Sequence, residues 1–198
     1  MKILAVQSRM GIGDTVIFLP FIKALSKKFN SPISILVKEN SKANQYLHQT
    51  KYIDKILTLE RDNKTNNRHG GFFGIFKLAN DLKKYKFDKI FIFNSSLRFN
   101  LVAKISGIPQ IYQYPLFAKN KQHIIEAPKK FLKKNLDLDI NEDPEVQIDS
   151  DLISKAAQKF QIDKNTTNIL LGIGGSGPTK RIPATTFLTV IDKLSNMK

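Results

Sequence analysis

The 198-residue chain contains no cysteine. That absence excludes a disulfide framework and a thiolate metal site, and it fits a reducing compartment. Histidine is scarce as well, with three in the whole chain and no ligand spacing among them, so no metal site is expected. No apolar run approaches the length needed to cross a bilayer. The first residues lack the long apolar stretch and small-residue cleavage site of a signal peptide. No internal repeat or low-complexity tract is evident. What these absences leave is a globular chain, soluble or peripheral to a membrane, expected in the cytoplasm.

Acidic side chains are few: 17 Asp and Glu face 32 Lys and Arg, for a net charge of +15. Such a field favours polyanions, whether nucleic acid, anionic membrane or phosphorylated substrate. A lysine-rich solvated surface accounts for much of the excess, so charge alone selects no partner. The hydrophobic fraction of 41% is ordinary for a protein with a real core.

Short apolar runs alternate with helical periodicities. "KILAV", "PISILV", "DKILTL" and "DKIFIF" read as buried strands, and "QIYQY" as a further short one. Phe18, Phe21, Ile22, Leu25 and Phe29 place a helix over 14–29, with Pro20 expected to kink or restart it. A short helix is expected around 41–48. The polar, glycine-ended "ERDNKTNNRHGG" reads as a loop. Ile75, Leu78, Ala79 and Leu82 mark the next helix, and "NSSLRFNLVAKISG" a loop running into another. The basic stretch 119–134 carries Pro128, expected to interrupt any helix there. "NLDLDINEDPEVQID" reads as an acidic connector, followed by a helix near 150–160. "TNILLGIGGSGPTKRIP" then restarts the strand–turn–helix theme, and Phe187, Val190, Ile191 and Leu194 line a last helix.

Strands separated by helices imply βαβ units and a parallel sheet. The expected division is a Rossmann-like domain with its connector over 1–164 and the truncated start of a second Rossmann-like domain over 165–198. One strand and one helix are too little for an independent core.

Ligands of open parallel sheets bind beyond the carboxyl ends of the strands. Two glycine-rich turns fall there. In the first, Gly11 and Gly13 let the backbone turn sharply ahead of Asp14. Aspartate at that position is a favoured helix N-cap, and a helix N-terminus also orients a reactive carboxylate. In the second, Gly172–Arg181, turn amides and the following helix N-terminus favour phosphate. Ser176 and Thr179 add hydroxyl donors there, and Lys180 and Arg181 add charge. Gly172, Gly174 and Gly177 also match the dinucleotide pattern G-x-G-x-x-G, which Pro178 and the adjacent cations fit poorly. A Rossmann-type oxidoreductase and a basic, non-enzymatic polyanion-binding module stand as alternatives.

Taken in order, "MKILAV" with "GIGDTVIFLPFIKALSKKF", "YIDKILTL", "KYKFDKIFIFNSSLRFNLVAKISGIPQIY" and "ILLGIGGSGPTKRIPATTFLTVIDKL" resemble the lipopolysaccharide heptosyltransferases of glycosyltransferase family nine. Two positions depart from that pattern. Ile182 stands where the family often has tryptophan, and Phe93-Asn94 stand where it often has an acidic strand end. The resemblance implies an α/β fold of GT-B type, with an acceptor-binding N-terminal domain and a nucleotide-sugar-binding C-terminal domain. It implies an inverting, metal-independent transferase of lipopolysaccharide biosynthesis with ADP-heptose as donor and no separate cofactor. The acceptor would be a phosphorylated, lipid-linked glycan at the inner face of the cytoplasmic membrane. No nucleic-acid partner is implied, and residues 1–198 alone are expected to be inactive.

The same resemblance implies site roles. Asp14 is the expected catalytic base, with Gly11 and Gly13 forming the cleft turn. Gly175, Ser176, Thr179 and Lys180 are expected on the donor phosphates. From their charge, and not from the resemblance, Arg61, Lys64 and Arg68 in the polar loop, Arg98 after a strand end and the basic stretch 119–134 are expected to grip phosphates of the acceptor. His69 and His123 are expected to be ordinary surface residues.

Overall fold

The computed structural model describes residues 1–9, 11–61, 67–116, 123–174 and 181–196. The chain divides into two compact units, Met1–Asp149 and Ser150–Lys198. The boundary expected at 164/165 lies within the second of these.

The first unit is built on five strands, β1 (Ile3–Val6), β2 (Ile33–Lys38), β3 (Ile53–Leu59), β4 (Lys89–Ile92) and β5 (Gln110–Gln113). They form one sheet in the order β3-β2-β1-β4-β5. All four neighbouring pairs are parallel. Parallel sheets are covered on both faces, which is why their central strands read as nearly unbroken apolar runs. β1 shows the consequence of the two-residue period: Ile3 and Ala5 join one core, Leu4 and Val6 the other.

Helices α1 (Ile12–Phe29) and α4 (Glu126–Leu136) cover the first face, through Phe18, Phe21, Leu25, Phe131 and Leu132. Helices α2 (Phe73–Lys83) and α3 (Leu97–Ile105) cover the second, through Ile75, Leu78, Leu82, Phe99 and Val102. The first core is rich in aromatic edges: Phe93 meets Phe18, Tyr114 and Phe131 in T-shaped contacts. Such pairs contribute beyond their buried area.

Three expectations about this unit are corrected. α1 does not restart at Pro20 but runs through it as one helix, and the buried Leu19, Phe21 and Ile22 beside it hold the turn that lacks a backbone donor. Pro128 does not interrupt α4. It falls in the first turn, where the helix has no use for its missing N–H. The segment near 41–48 forms two 3₁₀ turns, Glu39–Ser41 and Ala43–Gln45, because Lys42 between them is left-handed at φ 49°.

The second unit contains α5 (Ser150–Lys159) and α6 (Ala184–Ser195), neither of which buries a residue. The strand expected at "ILLG" is not formed, and Leu170 is 96% exposed. A strand exists only as a ladder, and among the described residues of this unit there is no other strand to pair with. Among the described residues no helix is long and apolar enough to cross a membrane.

Candidate active site

The strand order fixes where a site can form. From β1 the chain proceeds outward to β2 and β3, then returns to the other side of β1 as β4. The loops leaving β1 and β4 therefore diverge, opening a crevice at the carboxyl ends of the strands. A hydrogen bond spans this point: Asn94 Nδ2 donates to Ser8 Oγ at 2.8 Å. The same Asn94 accepts the Ser96 N–H through Oδ1 at 2.7 Å. Ser96 in turn caps α3 by accepting the Arg98 N–H. Gln113, at the end of β5, donates Nε2 to the Asn94 and Ser96 carbonyls, both at 2.9 Å. Its Oε1 accepts Asn100 Nδ2 at 2.9 Å. The Asn94 and Gln113 amides are each used at both ends, which ties the β4–α3 loop to β5.

Asp14 lies on the opposite lip of the crevice, half-buried in the first turn of α1. It is not the N-cap. The helix begins two residues earlier, at Ile12, so Gly11, which has no side chain, is the cap residue and Asp14 the third helical position. Gly11 is required for this arrangement: its φ of 105° and ψ of 159° lie in a region that only glycine occupies readily. A Cβ there would also sit 3.6 Å from Asp14 Oδ2. At Gly13 a Cβ would meet nothing within 4 Å, so the start of α1 faces open space.

Gln7, which the sequence reading passed over, is buried directly beneath this turn. Its Nε2 donates to the Asp14 carbonyl at 3.3 Å and its Oε1 accepts the Arg9 N–H at 3.0 Å. A polar side chain following four apolar strand residues was the available signal. Arg9 was missed too. Its charge is felt at the phenol of Tyr114, at the end of β5. Burial raises the pKa of that phenol and Arg9 partly opposes the rise.

The residues expected on the acceptor are placed differently from one another. Lys64 lies outside the described residues. Arg61 lies two residues past the end of β3 and is half-buried. Arg68 donates to Asp81 on α2 at 2.8 Å. Arg98 donates Nη1 to the Gly71 carbonyl at 2.7 Å and Nη2 to the His69 carbonyl. It therefore ties the first turn of α3 to the loop that enters α2.

His69 is not a surface residue; it is only 3% exposed. Its Nδ1 accepts the Glu60 N–H at 3.1 Å, which leaves Nε2 to donate to Asp81 Oδ2 at 3.1 Å. The His69 N–H also bonds the Glu60 carbonyl, closing the base of the loop. Burial works to raise the pKa of Asp81. The His69 and Lys84 hydrogen bonds and the Arg68 charge outweigh it and hold the carboxyl below its ordinary value. A cavity of about 250 Å³ lies against this cluster, lined also by Leu57, Thr58 and Tyr85.

The expected donor-phosphate residues Gly175, Ser176, Thr179 and Lys180 lie outside the described residues. Of the same turn, Gly172 and Gly174 are described, and both have open space where a side chain would stand. Among the described residues no three His, Cys, Asp or Glu side chains are grouped as metal ligands.

No family model and no curated protein sequence matches the chain. Solved structures do. A glycosyl transferase family 9 protein from Veillonella parvula DSM 2008 superposes over 99% of this chain with a TM-score of 0.77 at 19% identity. The E. coli ADP-heptose lps heptosyltransferase II superposes over 99% with a TM-score of 0.68 at 18% identity. The E. coli heptosyltransferase WaaC, solved with ADP-2-deoxy-2-fluoro heptose, gives 0.58 at 13% identity, again over 99%. The chain spans 60%, 62% and 66% of the lengths of these three proteins. Over nearly its whole length, the chain has the α/β fold of these GT-B glycosyltransferases.

Proposed function

We propose that this chain serves the inverting transfer of a heptose, or a related sugar, from a nucleotide-sugar donor to a glycan acceptor. The observation that carries this reading is the placement of Asp14. A carboxylate in the first turn of α1 stands on the lip of a crevice at the switch point of the sheet, beside a helix start open to solvent. The similarity of fold to family 9 transferases supports it.

In the proposed reaction the Asp14 carboxylate takes the proton of an acceptor hydroxyl. That oxygen bonds to C1 of the sugar from the face opposite the departing group. The bond from C1 to the diphosphate oxygen breaks, and the nucleoside diphosphate leaves with the electron pair. The Gly175 amide, Ser176, Thr179 and Lys180 receive the charge that develops on the leaving phosphates. Preorganised donors of this kind are often the largest catalytic contribution. General-base assistance adds about 10²–10⁴ in rate.

ADP-heptose is the donor proposed, and a phosphorylated, lipid-linked glycan of the lipopolysaccharide core the acceptor. The working location is the cytoplasm, at the inner face of the membrane. Arg61, Lys64 and Arg68 supply the charge that favours such an acceptor.

Titration of the full-length protein with ADP, NAD and duplex DNA across salt concentrations tests the class of ligand. The expected order is ADP first, with weak NAD binding and weak DNA binding. Tighter binding of NAD would favour an oxidoreductase. Salt-steep binding of DNA with no nucleotide preference would favour a polyanion-binding module.

A further inference from the structure

The first turns of α2 and α3 carry apolar side chains, most of them aromatic, that have no part in the proposed transfer step. Phe72 and Phe73 are 67% and 76% exposed, and Phe76 is 45% exposed. The Phe72 ring meets those of Phe73 and Phe76 edge to face, at centroid distances of 5.9 and 5.6 Å. The three rings thus form one protruding aromatic knuckle. Leu97, which opens α3, is exposed as well. Arg98 ties the two turns together through the Gly71 carbonyl, directly before Phe72. A contiguous apolar projection of this kind marks a binding surface.

Its electrostatic setting selects the partner. From Asn67 to Asn80 the chain has Arg68 and Lys77 and no acidic residue. Lys77 is exposed immediately after Phe76. Asp81, the next carboxylate along the chain, is engaged by Arg68, His69 and Lys84. Phenylalanines projecting from a helix start, followed by the exposed Lys77 and set in a chain of net charge +15, match the surface of an anionic bilayer. The rings enter the boundary between headgroups and acyl chains while the cations stay among the lipid phosphates.

We infer that Phe72, Phe73 and Phe76 are the membrane-contacting element of this chain, docking it on anionic lipid. The inference deepens the proposed function and rests on it for the setting, since a lipid-linked acceptor has to be met at a bilayer.

The test is co-sedimentation of the full-length protein with vesicles of phosphatidylcholine alone and of phosphatidylcholine with phosphatidylglycerol. Neither sugar donor nor acceptor is present, so the outcome does not depend on whether the protein transfers a sugar. The wild type is expected to bind the anionic vesicles. Phe72→Ser/Phe73→Ser/Phe76→Ser, with unchanged circular dichroism and melting, is expected to lose binding by about tenfold or more. The milder Phe73→Ser alone should show a smaller loss in the same direction, and serves if the triple variant fails to fold. Equal binding by wild type and Phe73→Ser would overturn the inference and leave charge alone as the attraction. So would self-association of the lipid-free wild type that Phe73→Ser abolishes, because the knuckle would then be a contact between two copies of the chain.

Discussion

Asn94 reaches across from the end of β4 to donate its amide to the Ser8 hydroxyl, at 2.8 Å. These residues leave two strands that are neighbours in the sheet but lie 86 positions apart in sequence. This polar contact bridges the point where the winding of the sheet reverses. In the family pattern that the sequence resembles, this strand end is often acidic. Asparagine supplies a donor as well as an acceptor, and the donor is what Ser8 uses.

Asn94→Ala removes both functions at once. The Ser8 hydroxyl and the Ser96 N–H lose a partner, at a cost of about 1–3 kcal/mol in stability. Chemical denaturation measures this. Amide exchange at Ser96 should quicken in the same variant, because its N–H bond to Asn94 is gone.

Gly11→Ala tests the turn ahead of the carboxylate. A side chain forced into φ 105° costs about 1–3 kcal/mol, unless the turn rearranges and carries Asp14 with it. A turn that rearranges would lower the proposed transfer as well, because it displaces Asp14. The corresponding Gly13→Ala meets no neighbouring atom of the chain. Alanine is also the better helix former, so stability should hold or rise slightly. A thermal melt of the two variants side by side separates these outcomes.

The pocket beneath the β3–α2 loop predicts a pH dependence. The Asp81 carboxyl has its pKa lowered from 3.8, so the folded state holds its proton less tightly than the unfolded state does. Its stabilising effect is complete above the ordinary aspartate value and is lost as pH falls through the lower folded value. Asp81→Asn should therefore destabilise the protein at about pH 5 and should matter much less at about pH 2. Urea denaturation midpoints of both proteins at the two pH values check this. A difference that is constant across the range would mean that the charge of Asp81 has no part in holding the loop.

The frame of the first unit was legible in the amino-acid sequence because strands buried on both faces must be apolar throughout. "KILAV" and "DKIFIF" carry that signature, and the structure places them side by side as β1 and β4. The position of Asp14 after β1 was legible for the same reason. Its exact place in the helix was not, because Gly11 is the cap and glycine leaves no side-chain signal for a cap. His69 was misjudged because its neighbours in sequence are polar, while the partners that bury it, Glu60 and Asp81, come from flanking elements. Arg98 follows a strand end, where cations often meet ligands. Only the fold shows that two of its nitrogens are spent on the loop before α2. "ILLG" has the composition of a strand, but composition cannot provide a neighbouring strand.

The account turns on Asp14 as the group that takes the acceptor proton. The direct measurement is the rate of heptose transfer from ADP-heptose to a delipidated lipopolysaccharide core, by full-length wild type and by Asp14→Asn. Asparagine keeps the size and polarity of the side chain but cannot accept the proton. The account predicts a rate lower by about 10²–10⁴ with the affinity for ADP unchanged. Turnover of Asp14→Asn within a few-fold of wild type would contradict it.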